Sequence, residues 1–275
     1  MSDRARRLAT VLAGAILVAG CRSLPGSGTT LQAQEVAGLG FTHRLLVAGE
    51  VRGDGPRFVF FEGDGRPWSS DGLQAATNPD PLRAVAPGLA AAQGDGAIVL
   101  GRPCYHGRAA DPGCEPGLWT SARYSEAIVA SMATALERTL EASPPRPVVL
   151  VGVSGGGALA LLVAERSPRV RAVVTLGANI DVDGWAKLHG YRPLEGSLDP
   201  LVTRPAAPGC EIHIAAGRDT VVPAPLIRAA TARRQGAIFW IEDDADHGCC
   251  WQSLWPAIAD RVAAQLASAG CFTAG

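Results

Sequence analysis

The segment Val148–Gly157, read Val-Val-Leu-Val-Gly-Val-Ser-Gly-Gly-Gly, limits what this chain can fold into more than any other. An unbroken apolar run, suited to a strand buried on both faces, enters Gly-x-Ser-x-Gly, and an Ala/Leu-rich helical stretch follows at once. Strand, tight turn and helix in direct succession force the serine backbone into a strained conformation. Gly152 and Gly156 remove side chains where strand and helix must approach, and the helix start after Ser154 aims free N–H groups at developing negative charge. A serine so placed is a candidate nucleophile. The pattern is short and the chain holds 33 glycines, so its context decides.

That context is an alternation of strands and helices. Phe41–Val51 reads as an opening strand or hairpin, and Arg57–Glu62, Gly96–Leu100, Val148–Val153, Val170–Leu176, Glu211–Ala216 and Ala237–Ile241 read as short apolar strands. Helical spacing occupies Tyr124–Glu141, the stretch from Gly155 to about Arg166, Pro225–Arg234 and Trp251–Ala267. This order predicts an α/β fold with a mostly parallel central sheet and helices on both faces. Residues 181–201, with Trp185, Tyr191 and Pro193, exceed what a crossover needs. A small cap over the site or a structural loop both suit that insertion.

A serine hydroxyl needs a base, and the base needs an orienting acid. Asp219 lies just past the strand ending at Ala216, and His247 just past the next strand. Both therefore fall at the C-terminal edge of the sheet, beside Ser154, where open α/β sheets gather their catalytic groups. Asp243, Asp244 and Asp246 are rival carboxylates, but they are too near His247 in sequence to reach behind the ring easily. His43, His106, His189 and His213 follow no late strand in this order, and His213 reads as lying within one.

With Ser154, Asp219 and His247 in that sequence order, the chain resembles the α/β-hydrolase superfamily from about residue 40 to 268. The resemblance implies Ser154 as nucleophile, His247 as general base and acid, and Asp219 as the carboxylate that orients the imidazole. It also implies an oxyanion hole, with one N–H from Gly155 and another from the loop after an early strand. Phe58–Gly65 occupies that place, with Glu62-Gly63-Asp64-Gly65 where many relatives carry His-Gly or His-Gly-Gly. Asp64 N–H is the expected donor, with Gly63 and Gly65 as alternatives. A carboxylate beside an oxyanion would repel it, so the Asp64 side chain should point away or bind a cationic part of the substrate. Trp68 and Trp185 are candidate substrate-lining residues, and plain packing suits both equally.

The N-terminus reads as a targeting signal, 1–20, with Arg4, Arg6 and Arg7 before a short apolar run. Leu17-Val18-Ala19-Gly20-Cys21 resembles a bacterial lipoprotein signal. That resemblance implies cleavage before Cys21, lipidation of its thiol and an exported cell-envelope protein anchored to a membrane through lipid. An ordinary secretory signal cut near the same small residues is the alternative. Residues 21–38 then read as a flexible tether and 39–275 as the domain. The cysteines beyond Cys21 form an even set, which in an exported chain reads as disulfides. Cys104 and Cys114 bracket one loop. Cys210 begins a strand and Cys271 follows the last helix, which puts both at one end of the sheet. Cys249 and Cys250 are left either as an adjacent bridge or in another pairing.

Net charge is −1, from 25 basic and 26 acidic residues, which argues against a nucleic-acid surface. Cysteine spacing does not suit a metal site, and no cofactor is implied. A dinucleotide reading of Gly152–Gly157 with Asp181 as the ribose acid fails, because several strands precede it and Asp219 and His247 go unused. The expected function is a serine hydrolase of carboxylesterase or lipase type, acting on a small-molecule or lipid ester, a thioester or an amide. Acyl transfer on the same scaffold and a catalytically idle binding protein are the alternatives.

Overall fold

The computed structural model describes residues 29–203 and 209–272. The expected signal segment 1–20, Cys21 and the first part of the tether lie outside the described residues. Eight strands form one sheet: β1 (Leu31–Ala37), β2 (Thr42–Ala48), β3 (Arg57–Phe61), β4 (Ala97–Leu100), β5 (Val148–Val153), β6 (Val170–Leu176), β7 (Glu211–Ala216) and β8 (Ile238–Glu242). Their spatial order is β1-β2-β4-β3-β5-β6-β7-β8. β2 runs antiparallel to both neighbours, and every pairing from β4 through β8 is parallel.

Six α-helices accompany the sheet: α1 (Ala86–Gln93), α2 (Glu126–Glu141), α3 (Gly155–Ala164), α4 (Val182–Leu188), α5 (Ala224–Ala232) and α6 (Trp251–Ser268). The period-2 alternation of β3 divides its side chains between two cores. Val59 and Phe61 join α2, α3 and α5 on one face, whereas Phe58 and Phe60 join α1 and α6 on the other. Trp255 of α6 meets Phe60 edge-on at a ring separation of 5.2 Å. β5 and α3 are buried along their whole lengths up to Val163, which explains why neither shows an amphipathic pattern. The sheet and its helices thus form the predicted α/β architecture.

The start of the domain differs from the sequence reading. Residues 31–37, assigned to the tether, form β1 and pair in register with β2, from Leu31 opposite Ala48 to Ala37 opposite Thr42. Most of their side chains face solvent. The backbone ladder, with only Leu31 and Val36 packed on the cores, holds this edge strand, so hydrophobic patterning could not reveal it. α1 also went unread, since Ala-Pro-Gly-Leu-Ala-Ala-Ala-Gln has no helical periodicity. Its first N–H donates to buried Glu62 Oε2 at 2.9 Å, which caps the helix from outside.

Disulfides join Cys104 to Cys114 and Cys210 to Cys271, with Cα separations of 5.5 and 5.7 Å. Cys249 and Cys250 bridge to each other. The insertion at 181–201 begins with α4 and continues as loop, tied back where Leu198 N–H donates to Tyr124 O and Ser197 Oγ to Ser121 O. Among the described residues, no helix is long and apolar enough to cross a membrane.

Candidate active site

Ser154 sits between β5 and α3 with φ 51° and ψ −125°, a conformation that costs energy for any residue with a side chain. Its surroundings hold it there. Its N–H donates to Leu176 O at 2.9 Å. A Cβ on Gly152 would lie 2.3 Å from Gly156 O, and one on Gly156 would lie 2.4 Å from Phe61 O. Only glycine therefore allows strand and helix this close.

The next two strands deliver the other groups. Ser154 Oγ donates to His247 Nε2 at 3.1 Å, and His247 Nδ1–H donates to Asp219 Oδ2 at 2.8 Å. The imidazole side chain is 27 % exposed and the Asp219 side chain wholly buried. Asp219 Oδ1 accepts from Val221 N and Val222 N, both at 2.8 Å, so the carboxylate is aimed by its own turn. This hydrogen-bonding pattern fixes the imidazole tautomer with its lone pair toward the serine hydroxyl. Two of the rival carboxylates are engaged elsewhere. Asp246 Oδ1 accepts from Gly248 N and Cys249 N, shaping the turn after His247, and Asp244 lies near Arg218.

Three of the other histidines have different side-chain partners. His43 Nδ1 and Nε2 bond Gly101 O and Ser131 Oγ inside the core, and His213 bridges Thr175 and Glu211 within the sheet. His189 bonds Val221 O.

On the other side of Ser154 lies the Glu62–Gly65 loop. A Cβ on Gly63 would come within 3.2 Å of Ser154 Cβ, and one on Gly155 would sit 2.0 Å from Asp64 Oδ1. Gly155 opens α3 and has no intrahelical acceptor for its N–H. Asp64 N–H makes no hydrogen bond among the described residues. Gly63 differs from its expected role as an alternative donor, because its N–H is committed to Glu62 Oε1 at 3.0 Å. Gly65, with φ +64°, makes a turn in which a Cβ would strike Pro79 O at 2.1 Å.

The Asp64 carboxylate neither points to solvent nor waits for a cationic substrate. Arg102 at 2.5 Å, Arg123 at 2.9 Å and Tyr124 Oη at 2.7 Å all donate to it. Burial alone would raise its pKa, but the two guanidiniums outweigh that and hold it at about 2. Sequence reasoning missed these partners: Arg102 and Arg123 come from a loop without periodicity, and Tyr124, expected to open a helix, lies just before α2. It also missed Glu62, whose carboxyl burial pushes its pKa up while Gly63 and Ala86 N–H groups oppose the rise. A carboxylate ending a wholly apolar strand was the available signal.

Trp185 donates from Nε1 to Val221 O at 2.9 Å and packs against His189 and Tyr191, so α4 rests on the loop that carries Asp219. Trp68 is 46 % exposed and pairs with Ala75 through an isolated bridge, with no hydrogen bond to the triad. Cavities of about 370 Å³ beside Cys104–Cys114 and about 660 Å³ beside the end of α3 include none of Ser154, His247 or Asp219. Among the described residues, no group of three or more His, Cys, Asp or Glu could hold a metal ion.

A family model described as alpha/beta hydrolase fold matches residues 85–193. No curated protein matches in sequence. Among solved structures, the chain is similar to a puromycin-hydrolyzing peptidase of Mycobacterium tuberculosis, at 15 % identity and a TM-score of 0.58, covering 91 % of this chain and 40 % of the peptidase. The chain thus spans about two fifths of that protein. It is also similar to a putative alpha/beta hydrolase from Agrobacterium tumefaciens, at 9 % identity and a TM-score of 0.58, covering 86 % of this chain and 97 % of the other. A serine hydrolase involved in carbazole degradation is similar at 17 % identity and a TM-score of 0.52, covering 86 % and 98 %. At these identities the likeness speaks to fold.

Proposed function

We propose that this chain, whose fold is that of the alpha/beta hydrolases, is a serine hydrolase of that superfamily that cleaves an ester, thioester or amide through an acyl-enzyme. The observation that carries the reading is the continuous hydrogen-bond path from Ser154 through His247 to buried Asp219. In this reading His247 Nε2 takes the Ser154 proton as Oγ attacks the carbonyl carbon, and Asp219 stabilises the imidazolium that forms. The N–H groups of Gly155 and Asp64 receive the tetrahedral oxygen. His247 then protonates the leaving group, and the same ring activates water to release the acid. Similar structures include a protein named as a peptidase and one named as a serine hydrolase, which supports testing amides beside esters.

The deciding experiment pairs nitrophenyl esters and nitroanilides of short and long acyl chains with a fluorophosphonate label. Wild type should turn over at least one class and carry the label on Ser154. Ser154→Ala should remain folded, lose the label and lose turnover by about 10⁴-fold or more. Labelling that persists in Ser154→Ala would assign the nucleophile elsewhere.

Lipid attachment at Cys21, and with it an envelope location, is part of the same proposal and rests on the Leu17–Cys21 pattern. Cys21→Ala should release the protein from the membrane fraction of its host. Retention there would count against the anchor.

A further inference from the structure

The loop between β4 and α2 sends four side chains to one residue beside the nucleophile. Arg102 donates to Asp64 Oδ1, Arg123 and Tyr124 to Oδ2, and Tyr105 Oη to the Asp64 carbonyl oxygen at 2.8 Å. Each oxygen of Asp64 is thereby engaged, while its N–H has no partner among the described residues. The two ends of the loop are joined where Arg102 also donates to Arg123 O at 2.9 Å, and the Cys104–Cys114 bridge closes the segment that follows Arg102. The arginine side chains are only 1 % and 5 % exposed. Burying two guanidiniums against one carboxylate is costly, and such clusters often stabilise a fold no more than apolar packing of the same volume.

We infer that Arg102, Tyr105, Arg123 and Tyr124 are positioning residues for the oxyanion site: they clamp Asp64 so that its N–H faces the tetrahedral oxygen, and they reverse the charge met there. The inference rests on the serine hydrolase reading above. Asp64 by itself would place a negative charge against Gly155, the other donor. With both arginines bound, the group carries one net positive charge, which attracts the oxyanion across a poorly solvated space. Burial pushes the Tyr105 phenol up to about 12, so it remains a donor throughout the working range.

A clamp of this kind acts on the transition state more than on substrate binding, and that separates it from a merely structural role. Tyr105→Phe removes one neutral hydrogen bond and leaves every charged contact. It should lower kcat about fivefold with little change in KM. Asp64→Asn keeps the backbone donor but loosens its seat, and should lower kcat by about 10- to 100-fold. Arg123→Lys, which keeps the charge, should retain more activity than Arg123→Met. For each variant, the inhibition constant of a boronic acid that forms a tetrahedral adduct should rise by the factor by which kcat/KM falls. Melting of Tyr105→Phe should stay within a few degrees of wild type.

If wild type hydrolyses esters but Tyr105→Phe and Asp64→Asn keep its kcat, or change KM alone, the clamp is refuted while the serine hydrolase stands. If wild type neither turns over any substrate nor labels on Ser154, the parent reading fails and the clamp with it. Should Asp64→Asn not fold, Tyr105→Phe decides alone.

Discussion

Mild acid should weaken this protein well before its carboxylates are protonated, and His43 is the reason. The ring is wholly buried in β2, 2.8 Å from both Gly101 O and Ser131 Oγ. A carbonyl only accepts, so Nδ1 carries the proton and Nε2 accepts from the serine hydroxyl. The neutral ring is satisfied at both nitrogens and has no carboxylate to welcome a charge. Burial accordingly pulls its pKa from 6.5 to about 4, with Gly101 O opposing and Arg108 assisting. Because the folded value is depressed, the unfolded chain binds a proton first, and stability present above about pH 6.5 is lost as pH falls toward 4. That difference corresponds to about 3 kcal/mol in total, most of it gone by pH 4.5. Asp64 and Glu211, both held at about 2, contribute stability that is lost as pH falls from the ordinary carboxylate range toward 2, mostly below this window, whereas Glu62, raised by burial, acts with the opposite sign and equally in both proteins compared below. His106, lowered chiefly by burial, adds a loss of the same sign. Urea unfolding at several values between pH 7 and 4.5 should therefore be compared for wild type and His43→Gln. The variant should start less stable but lose about 2 kcal/mol less across the range. Equal losses in both proteins would refute the reasoning.

Gly155→Ala forces a methyl group to within 2.0 Å of Asp64 Oδ1 and 2.5 Å of Tyr124 Oη. It should abolish fluorophosphonate labelling and lower the melting temperature; an active Gly155→Ala enzyme would contradict the described packing. The Cys210–Cys271 bridge spans 61 positions, which in the chain-entropy model stabilises by about 4 kcal/mol. Cys210→Ser/Cys271→Ser should lose roughly that much in denaturant unfolding, and an unchanged midpoint would argue that the bridge does not form.

Much of the sheet was legible because β5, β6 and β7 bury both faces and so appear as compact apolar runs between helical spacings. Ser154, Asp219 and His247 could be ordered for the same reason, each following one of these strands or β8. What stayed hidden depends on backbone or on distant loops. β1 is held by a ladder that side chains do not report, and α1 is a short alanine-rich segment capped by Glu62 from 24 positions away. Asp64 was singled out as a backbone donor, but its carboxylate partners lie 38 to 60 positions downstream. No local pattern pairs an aspartate with arginines across such a distance. The unread loop thus supplies the charge that Asp64 appeared to lack.

The entry point of the chain has a geometric consequence. Leu31 stands opposite Ala48, and Ala48 opposite Ala97, the first residue of β4. The polypeptide therefore enters at the pole of the sheet where the parallel strands begin, while Ser154 lies beyond their far ends. β5 alone puts about 20 Å between the two poles. If Cys21 carries the lipid proposed above, the anchored segment joins the domain through β1, at the pole opposite Ser154, and leaves the loops of the reactive edge free of that attachment.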